Sequence, residues 1–176
     1  MVVCRTDPAM RAVGVLSAAL MDAFTGSQCP PLVGQADVVR FFAGDGAPLA
    51  AWDSHASQGC DTPFIWVRAM RRYTSVTFPA PAVDQSPCGA QIRVLALEAG
   101  VGFCAVIDQN PSWEQYNEEA AISMDTAWRM ETALSNAACT LRSGGYGDTL
   151  AAVDSLVPYG PDGGVIAWTS ILYVNY

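Results

Sequence analysis

The stretch PFIWVRAMRRYTSVTF, residues 63–78, followed by QIRVLALEAGVGFCAVI, residues 91–107, decides the fold. The first run is rich in aromatic and β-branched residues. Phe64, Trp66, Met70, Val76 and Phe78 share one parity, and Ile65, Val67, Ala69 and Tyr73 share the other. Side chains alternate across a strand, so this reads as a long strand that is apolar on both faces near its start. The second run places Leu95, Leu97, Val101, Phe103 and Ala105 on one parity. The interval between the runs carries Pro, Cys and Gly, which permits an antiparallel pair. Gly100 and Gly102 mark a bulge or a close backbone approach.

Upstream, Asp7-Pro8 is a helix start, and Val13, Leu16, Leu20 and Phe24 recur at three- and four-residue spacing. That spacing builds one apolar helical face and predicts a helix over 8–25, ending near Gly26. Val38 to Phe42 reads as a short strand, and Ala43 to Asp61 as a long loop. Downstream, Asn110-Pro111-Ser112 followed by Gln115 has the pattern of a capping box. Ala120, Met124, Ala127, Met130, Leu134, Ala138 and Leu141 then trace an apolar stripe, which predicts a helix over 113–142 that stops at Ser143-Gly144-Gly145. Leu150 to Val157 and Val165 to Tyr176 read as two further strands joined by a turn, Pro158 to Gly164. Adjacent strands without a helix between each pair exclude a doubly wound parallel fold. The expectation is an α+β fold, with a mixed or antiparallel sheet of about four to five strands flanked by the N-terminal helix and one long central helix. At 176 residues, the chain suits one domain spanning 1–176.

Composition narrows the function classes. The sequence is 51% hydrophobic and only 15% charged, against roughly 25% charged in an average soluble domain, so part of the apolar surplus is expected to face partner subunits. No run reaches the length of a membrane span, and Met1 to Pro8 lacks the pattern of a secretory leader, which predicts a soluble, unexported protein with no membrane partner. Net charge is −8 and all nine basic residues are arginines, which disfavours a phosphate-gripping basic patch. An acidic wall still suits a conduit through which DNA slides without sticking. The six cysteines, Cys4, Cys29, Cys60, Cys88, Cys104 and Cys139, are expected to be free thiols in a reducing compartment.

Candidate chemistry is thin. His55 lies five residues before Cys60, which allows a nucleophilic pair only if the loop folds back. Cys60, Cys88, Cys104 and His55 together are the right residue types for zinc, without any C-x-x-C pair. Glu118 and Glu119 sit where a helix dipole favours negative charge. Gly144, Gly145 and Gly147 follow a helix and precede a strand, the reverse of a phosphate-binding loop. Trp52, Trp66, Trp113, Trp128 and Trp168 offer a stacking platform, but at their spacing they read as core or interface. The last strand ends the chain without a polar tail and needs its edge covered.

Taken in order, Cys60-Asp61-Thr62-Pro63 leads a strand with Trp66-Val67-Arg68. Cys88 follows, then a strand to Cys104 with a proline loop, the long helix of Ala120 to Leu141, and the Pro158 to Gly164 turn opening Val165-Ile166-Ala167-Trp168. This order over residues 8–176 resembles the tail terminator proteins of siphophages, especially those infecting high-GC actinobacteria. The resemblance implies a homohexameric ring on the head-proximal end of the tail tube. Such a ring halts tube polymerisation and docks the head-completion or stopper protein, with DNA passing through its lumen without sequence-specific binding. It implies virion location, no enzyme activity and no cofactor, and it assigns no catalytic, cofactor-binding or metal-ligating residue. The alternatives are another neck protein, such as a stopper or adaptor, a small ligand-binding module using the tryptophans, and a thiol enzyme using Cys60 and His55.

Overall fold

The two apolar runs fold as strands because each can bury both parities, one against helices and one against a smaller aromatic cluster. In the computed structural model, which describes residues 7–26, 29–44, 49–57, 59–82, 91–144 and 149–176, β2 (Phe64–Ser75) and β3 (Ile92–Cys104) pair antiparallel from Phe64 opposite Gly102 to Ser75 opposite Ile92. β6 (Val165–Asn175) lies antiparallel on the other side of β3. β1 (Val39–Ala43) lies parallel to β2 at one edge. β4 (Ala151–Val153) and β5 (Val157–Asp162) both pair with β6 at the opposite edge. The result is a six-stranded mixed sheet in an α+β fold.

One sheet face carries Ile65, Val67, Leu95, Leu97, Ala99, Val101 and Leu172 against α1 (Ala9–Ala23) and α3 (Trp113–Ser143). Leu16, Leu20 and Phe24 of the α1 face are fully buried and Val13 nearly so, and Asp7 Oδ1 accepts from the Ala9 amide at 3.0 Å. The capping box of α3 is present, with Gln115 N donating to Ser112 Oγ at 3.2 Å and Ser112 N to Gln115 Oε1 at 2.7 Å. On the other face, Phe64, Trp66, Val165 and Ala167 form a second cluster with Trp52. Gly100 is the close approach anticipated: a Cβ there would lie 2.1 Å from the Trp66 ring. The bulge is elsewhere, in β2, where the register shifts between Ala69 and Arg71.

Several expectations need correction. The sheet has six strands rather than four or five. Residues 49–56, read as loop, form a third helix, α2 (Leu49–Ala56), which supplies the crossover a parallel β1–β2 pair requires. Its Ala51, Trp52 and Ala56 pack onto the second cluster. The Pro158 to Gly164 stretch is mostly strand, and the reversal is confined to Gly163 and Gly164, with φ of +57° and +76°. Positive φ at both central residues suits a two-residue hairpin turn. The strand expected at 150–157 is three residues long. β6 is no open edge, since β3 flanks it on one side and β4 and β5 on the other.

The cysteine expectation is overturned in part. Cys60, just before β2, is disulfide-bonded to Cys104 at the end of β3, with Cα atoms 5.8 Å apart. The antiparallel register brings these two segments together, whatever compartment the composition suggests. Cys29 and Cys139 are free thiols, and Cys4 and Cys88 lie outside the described residues, as do Gly145 and Gly147.

Candidate functional site

The 31-residue α3 presents two different faces. Its C-terminal half buries Thr126, Arg129, Met130, Ala133, Leu134, Ala137, Ala138 and Leu141. Its N-terminal half meets the rest of the chain through separate contacts: Glu119 Oε2 accepts from Val106 N at 2.5 Å, Ser123 Oγ accepts from Trp168 Nε1 at 2.9 Å, and Asp125 Oδ2 accepts from Leu32 N at 3.0 Å. Outward from this half and the turn that follows it, Trp113, Tyr116, Met124 and Trp128 are 80%, 45%, 66% and 60% exposed. With Ala120 they fall at spacings of three and four residues, so they form one stripe along the helix. Trp113 and Tyr116 face each other with ring centroids 6.1 Å apart. Four large apolar side chains exposed in one line make a contiguous patch of the kind that often marks a contact surface.

The charge around this stripe is mixed, with the Arg129 guanidinium 5.9 Å from the Trp128 ring centroid. Asp108, Glu114 and Glu118 are exposed near the start of α3, with Glu118 turned to the side of the helix away from Tyr116. Hydrogen bonds from the Glu114 backbone amide and the Ser112 hydroxyl hold the Glu114 carboxyl below its ordinary range. The opposite end of the sheet is rich in arginine. Arg71 and Arg72 lie at the end of β2 and Arg93 at the start of β3. Arg142 donates to Ala151 O, with Nε at 3.0 Å, and Arg11 donates to Gly144 O at 3.3 Å, which brings both to the same end. Arg71 lies over the Tyr73 ring at 4.9 Å and Arg72 over Tyr176 at 5.2 Å. Acids stand among these arginines: Asp7 is paired with Arg72, which lowers the Asp7 carboxyl, Asp154 accepts from Tyr173 Oη at 3.3 Å, and Glu131 lines a shallow pocket with Arg142 and Asp154. Ser123 meets Trp168, which pairs with Val101, and Arg72 pairs with Leu95, so at roughly 3.3 Å per residue the middle of the stripe and the arginines are about 20 Å apart along β3.

The chemistry candidates fall apart in three dimensions. His55 is buried in the second cluster: its Nε2 lies 2.9 Å from Thr62 O, and its ring packs at 5.8 Å from Trp52 and 5.4 Å from Phe64. Cys60 and Cys104 spend their sulfurs on each other, which removes the thiolate of the nucleophilic pair and two of the zinc ligands considered. Among the described residues no group of three or more His, Cys, Asp or Glu side chains is placed to hold a metal ion. Beside His55 a polar cavity of about 260 Å³ is lined by Asp37, Arg40, Asp61 and Thr62, and Arg40 is spread over the Phe64 ring at 4.8 Å. Glu119 is occupied with the Val106 amide, as noted, and Gly144 leaves room where a Cβ would meet the Arg11 guanidinium at 2.0 Å. The tryptophans divide: Trp52 and Trp66 are core, Trp168 is partly buried, and Trp113 and Trp128 are exposed.

Two polar clusters were not anticipated. Arg68 grips Glu98 with Nε at 3.0 Å and Nη2 at 2.6 Å, and Trp66 Nε1 donates to the same carboxylate at 3.0 Å. Arg129 donates to Asp125 at 2.8 Å, to Ala23 O at 3.0 Å and to Cys29 O at 3.0 Å. It satisfies a carbonyl at the α1 C-terminus with a positive charge, which the helix dipole favours. Both clusters tie elements together. Their only sequence signal was arginine at positions flanked by apolar residues, which does not identify the acceptors.

Among the described residues no helix is long and apolar enough to cross a membrane. No protein-family model matches the chain, and no curated protein matches it by sequence.

Proposed function

We propose that this protein is a structural subunit that works by assembling into a ring, in the manner of a siphophage tail terminator. The observation that carries the reading is the exposed stripe of Trp113, Tyr116, Met124 and Trp128 on an ordered helix. Aromatic and Met side chains are enriched at subunit interfaces, and two tryptophans have little other reason to face water in a chain that buries Trp52 and Trp66. In this reading the ring caps the head-proximal end of the tail tube, stops its growth and presents the docking face for the head-completion or stopper protein. The net charge of −8 suits a lumen through which DNA passes without adhering. The role needs no cofactor and no catalytic group.

The test is the mass of the purified protein by light scattering, alone and with polymerised tail tube. A ring in solution, or a monomer that caps tubes as a ring, is the expected result. A monomer indifferent to tube ends at every concentration overturns the reading.

A further inference from the structure

We infer that the Cys60–Cys104 bond is a redox lock: when oxidised it pins the segment 59–63 and seats α2 against the sheet, and when reduced it releases both while the sheet stays folded. The lock acts within one chain and does not depend on the assembly proposed above. The bond lies outside the ladder it adjoins. β2 and β3 are paired from Phe64 opposite Gly102, four residues after Cys60 and two before Cys104, and the pairing runs on to Ser75 opposite Ile92. The two strands are thus held in register without the bond. Cys60 is exposed and Cys104 half-buried, so a dissolved thiol can approach from the Cys60 side. What the bond does hold is the connection between α2 and β2. Gly59 N donates to Ala56 O at 3.2 Å, and His55 Nε2 donates to Thr62 O at 2.9 Å, so α2 is fastened to this segment. The disulfide fastens the segment in turn to the end of β3.

Two further features make the release local. α2 has eight residues, too few for its own hydrogen bonds to keep it helical, so it persists only while seated. Its seat is the second cluster, on which Ala51, Ala56 and Cys104 all pack. Gly59, Asp61, Thr62 and Pro63 also supply half of the residues lining the polar cavity of about 260 Å³, so the same bond fixes one part of that cavity's wall. The two states differ by two electrons and two protons, which a dithiol supplies. Its thiolate attacks the Cys60 sulfur, and the Cys104 sulfur leaves as a thiolate and takes up a proton. The second thiol of the reagent then displaces Cys60, which is protonated in turn, and the reagent closes its own disulfide. A small-molecule disulfide reverses the sequence. Because the bonded residues are 44 apart in sequence, its loss also lowers the melting temperature through the unfolded chain. The lock concerns the folded state, which amide exchange under native conditions reads.

The test compares the bonded wild type, wild type in excess dithiol, and C60S/C104S. Alkylation mapped by mass spectrometry reads the pair itself: Cys60 and Cys104 are expected to become alkylated in the folded protein once dithiol is added. A pair that stays bonded until the protein unfolds overturns the lock. In the reduced protein and in C60S/C104S, the amides from Asp53 to Ser57 and that of Gly59 are expected to exchange on the order of 10-fold faster than in the bonded form, while β3 and β6 remain protected. Hydroxyl-radical labelling of Trp52 is expected to rise in C60S/C104S, and that of Trp66, equally buried at 6% exposure, to stay unchanged. Re-oxidation of the reduced wild type should restore slow exchange. Exchange and labelling of α2 that ignore the bond overturn the inference, since the disulfide is then a passive staple. Protection lost from β3 and β6 together with α2 overturns it too, because the bond then holds the whole fold. Should C60S/C104S fail to fold, C60A/C104A and the reduced wild type carry the same comparison.

Discussion

The two halves of α3 belong to one helix, yet different forces hold them. From Thr126 to Leu141 the helix presents Met130, Ala133, Leu134, Ala137 and Leu141 to the sheet and α1, and these are at most 2% exposed. From Trp113 to Asp125 it is held by a capping box, single hydrogen bonds and the packing of Ile122 on the core, while Trp113, Tyr116 and Met124 face outward. At 100° per residue, the stripe of Trp113, Tyr116, Ala120, Met124 and Trp128 is rotated by roughly a quarter turn from the buried face. An apolar face on a helix thus names a surface that wants covering, and the cover need not come from the same chain. The difference also separates two kinds of energy. Removing a side chain from the packed half weakens folding, whereas removing one from the outward half weakens whatever covers it.

The largest effect should come from testing that separation directly. Leu134 is fully buried between α1, α3 and the sheet. Leu134→Ala removes several buried carbons and leaves a cavity, so it should destabilise the fold by about 3–4 kcal/mol in denaturant unfolding. Met124→Ala, two residues before Thr126, the first buried residue of the packed half, deletes a side chain of similar size that is 66% exposed. It should change monomer stability by less than about 0.5 kcal/mol while weakening assembly. Equal losses of folding stability in the two variants would mean that the outward half is covered within the chain.

The same helix shows how much the sequence reveals. Its start was readable from Ser112 and Gln115, and its length from the Ala120 to Leu141 stripe, because caps and periodicity are local signals. The α1 face and the cores of β2, β3 and β6 were readable for the same reason. The division of α3 was not, since the inward and outward apolar faces adjoin and merge into one broad stripe in sequence. Met124 was placed on the apolar stripe with Met130 and Leu134, and it is exposed while they are buried. α2 was missed because its eight residues lie within a stretch of Gly, Pro and polar residues, and its packing pair, Trp52 and His55, needs the second cluster to make sense of it. β5 was read as turn because of Pro158, Gly160 and Pro161, yet proline is tolerated on a strand that pairs on one side only. The Cys60–Cys104 bond depends on the β2–β3 register, which composition does not contain. The exposed stripe, the one feature on which the functional reading turns, was half visible: the tryptophans were read as core or interface without a way to divide them.

Arg129 lies at the junction of the two halves, and sharpens the comparison from the middle. Its guanidinium joins Asp125, four residues earlier on α3, to carbonyls of Ala23, Cys29 and Pro30, roughly 100 residues distant in sequence. Side chains of Arg129 and Asp125 are 9% and 17% exposed. Arg129→Ala should therefore strand a largely buried carboxylate and several carbonyls, costing about 3 kcal/mol. Arg129→Lys should recover only part of it, because one ammonium cannot reach acceptors arranged for a planar fork. Hydrogen exchange should locate the loss at the end of α1 and the segment after it. An effect spread evenly over α3 would show instead that the arginine serves the helix itself.

The smallest effect should be the most local. Ser112 and Gln115 satisfy two amides at the start of α3 through the capping box, in a segment with little tertiary packing to replace them. Ser112→Ala typically removes about 1 kcal/mol from a helix terminus. In a helix packed along its whole length, that loss would register in global unfolding, because fraying its first turn would expose core. Here the first turn carries Trp113 and Tyr116 into solvent, so fraying exposes little that was buried. The expected outcome is faster amide exchange confined to the first two turns of α3, with an unchanged midpoint of global unfolding. Assembly should weaken as well, since a frayed turn no longer presents Trp113 and Tyr116 in fixed positions, and ordering it again opposes docking. If global stability fell by the full amount while assembly held, the N-terminal half would be part of the fold's cooperative unit and its aromatic face would lose its claim as the surface of contact.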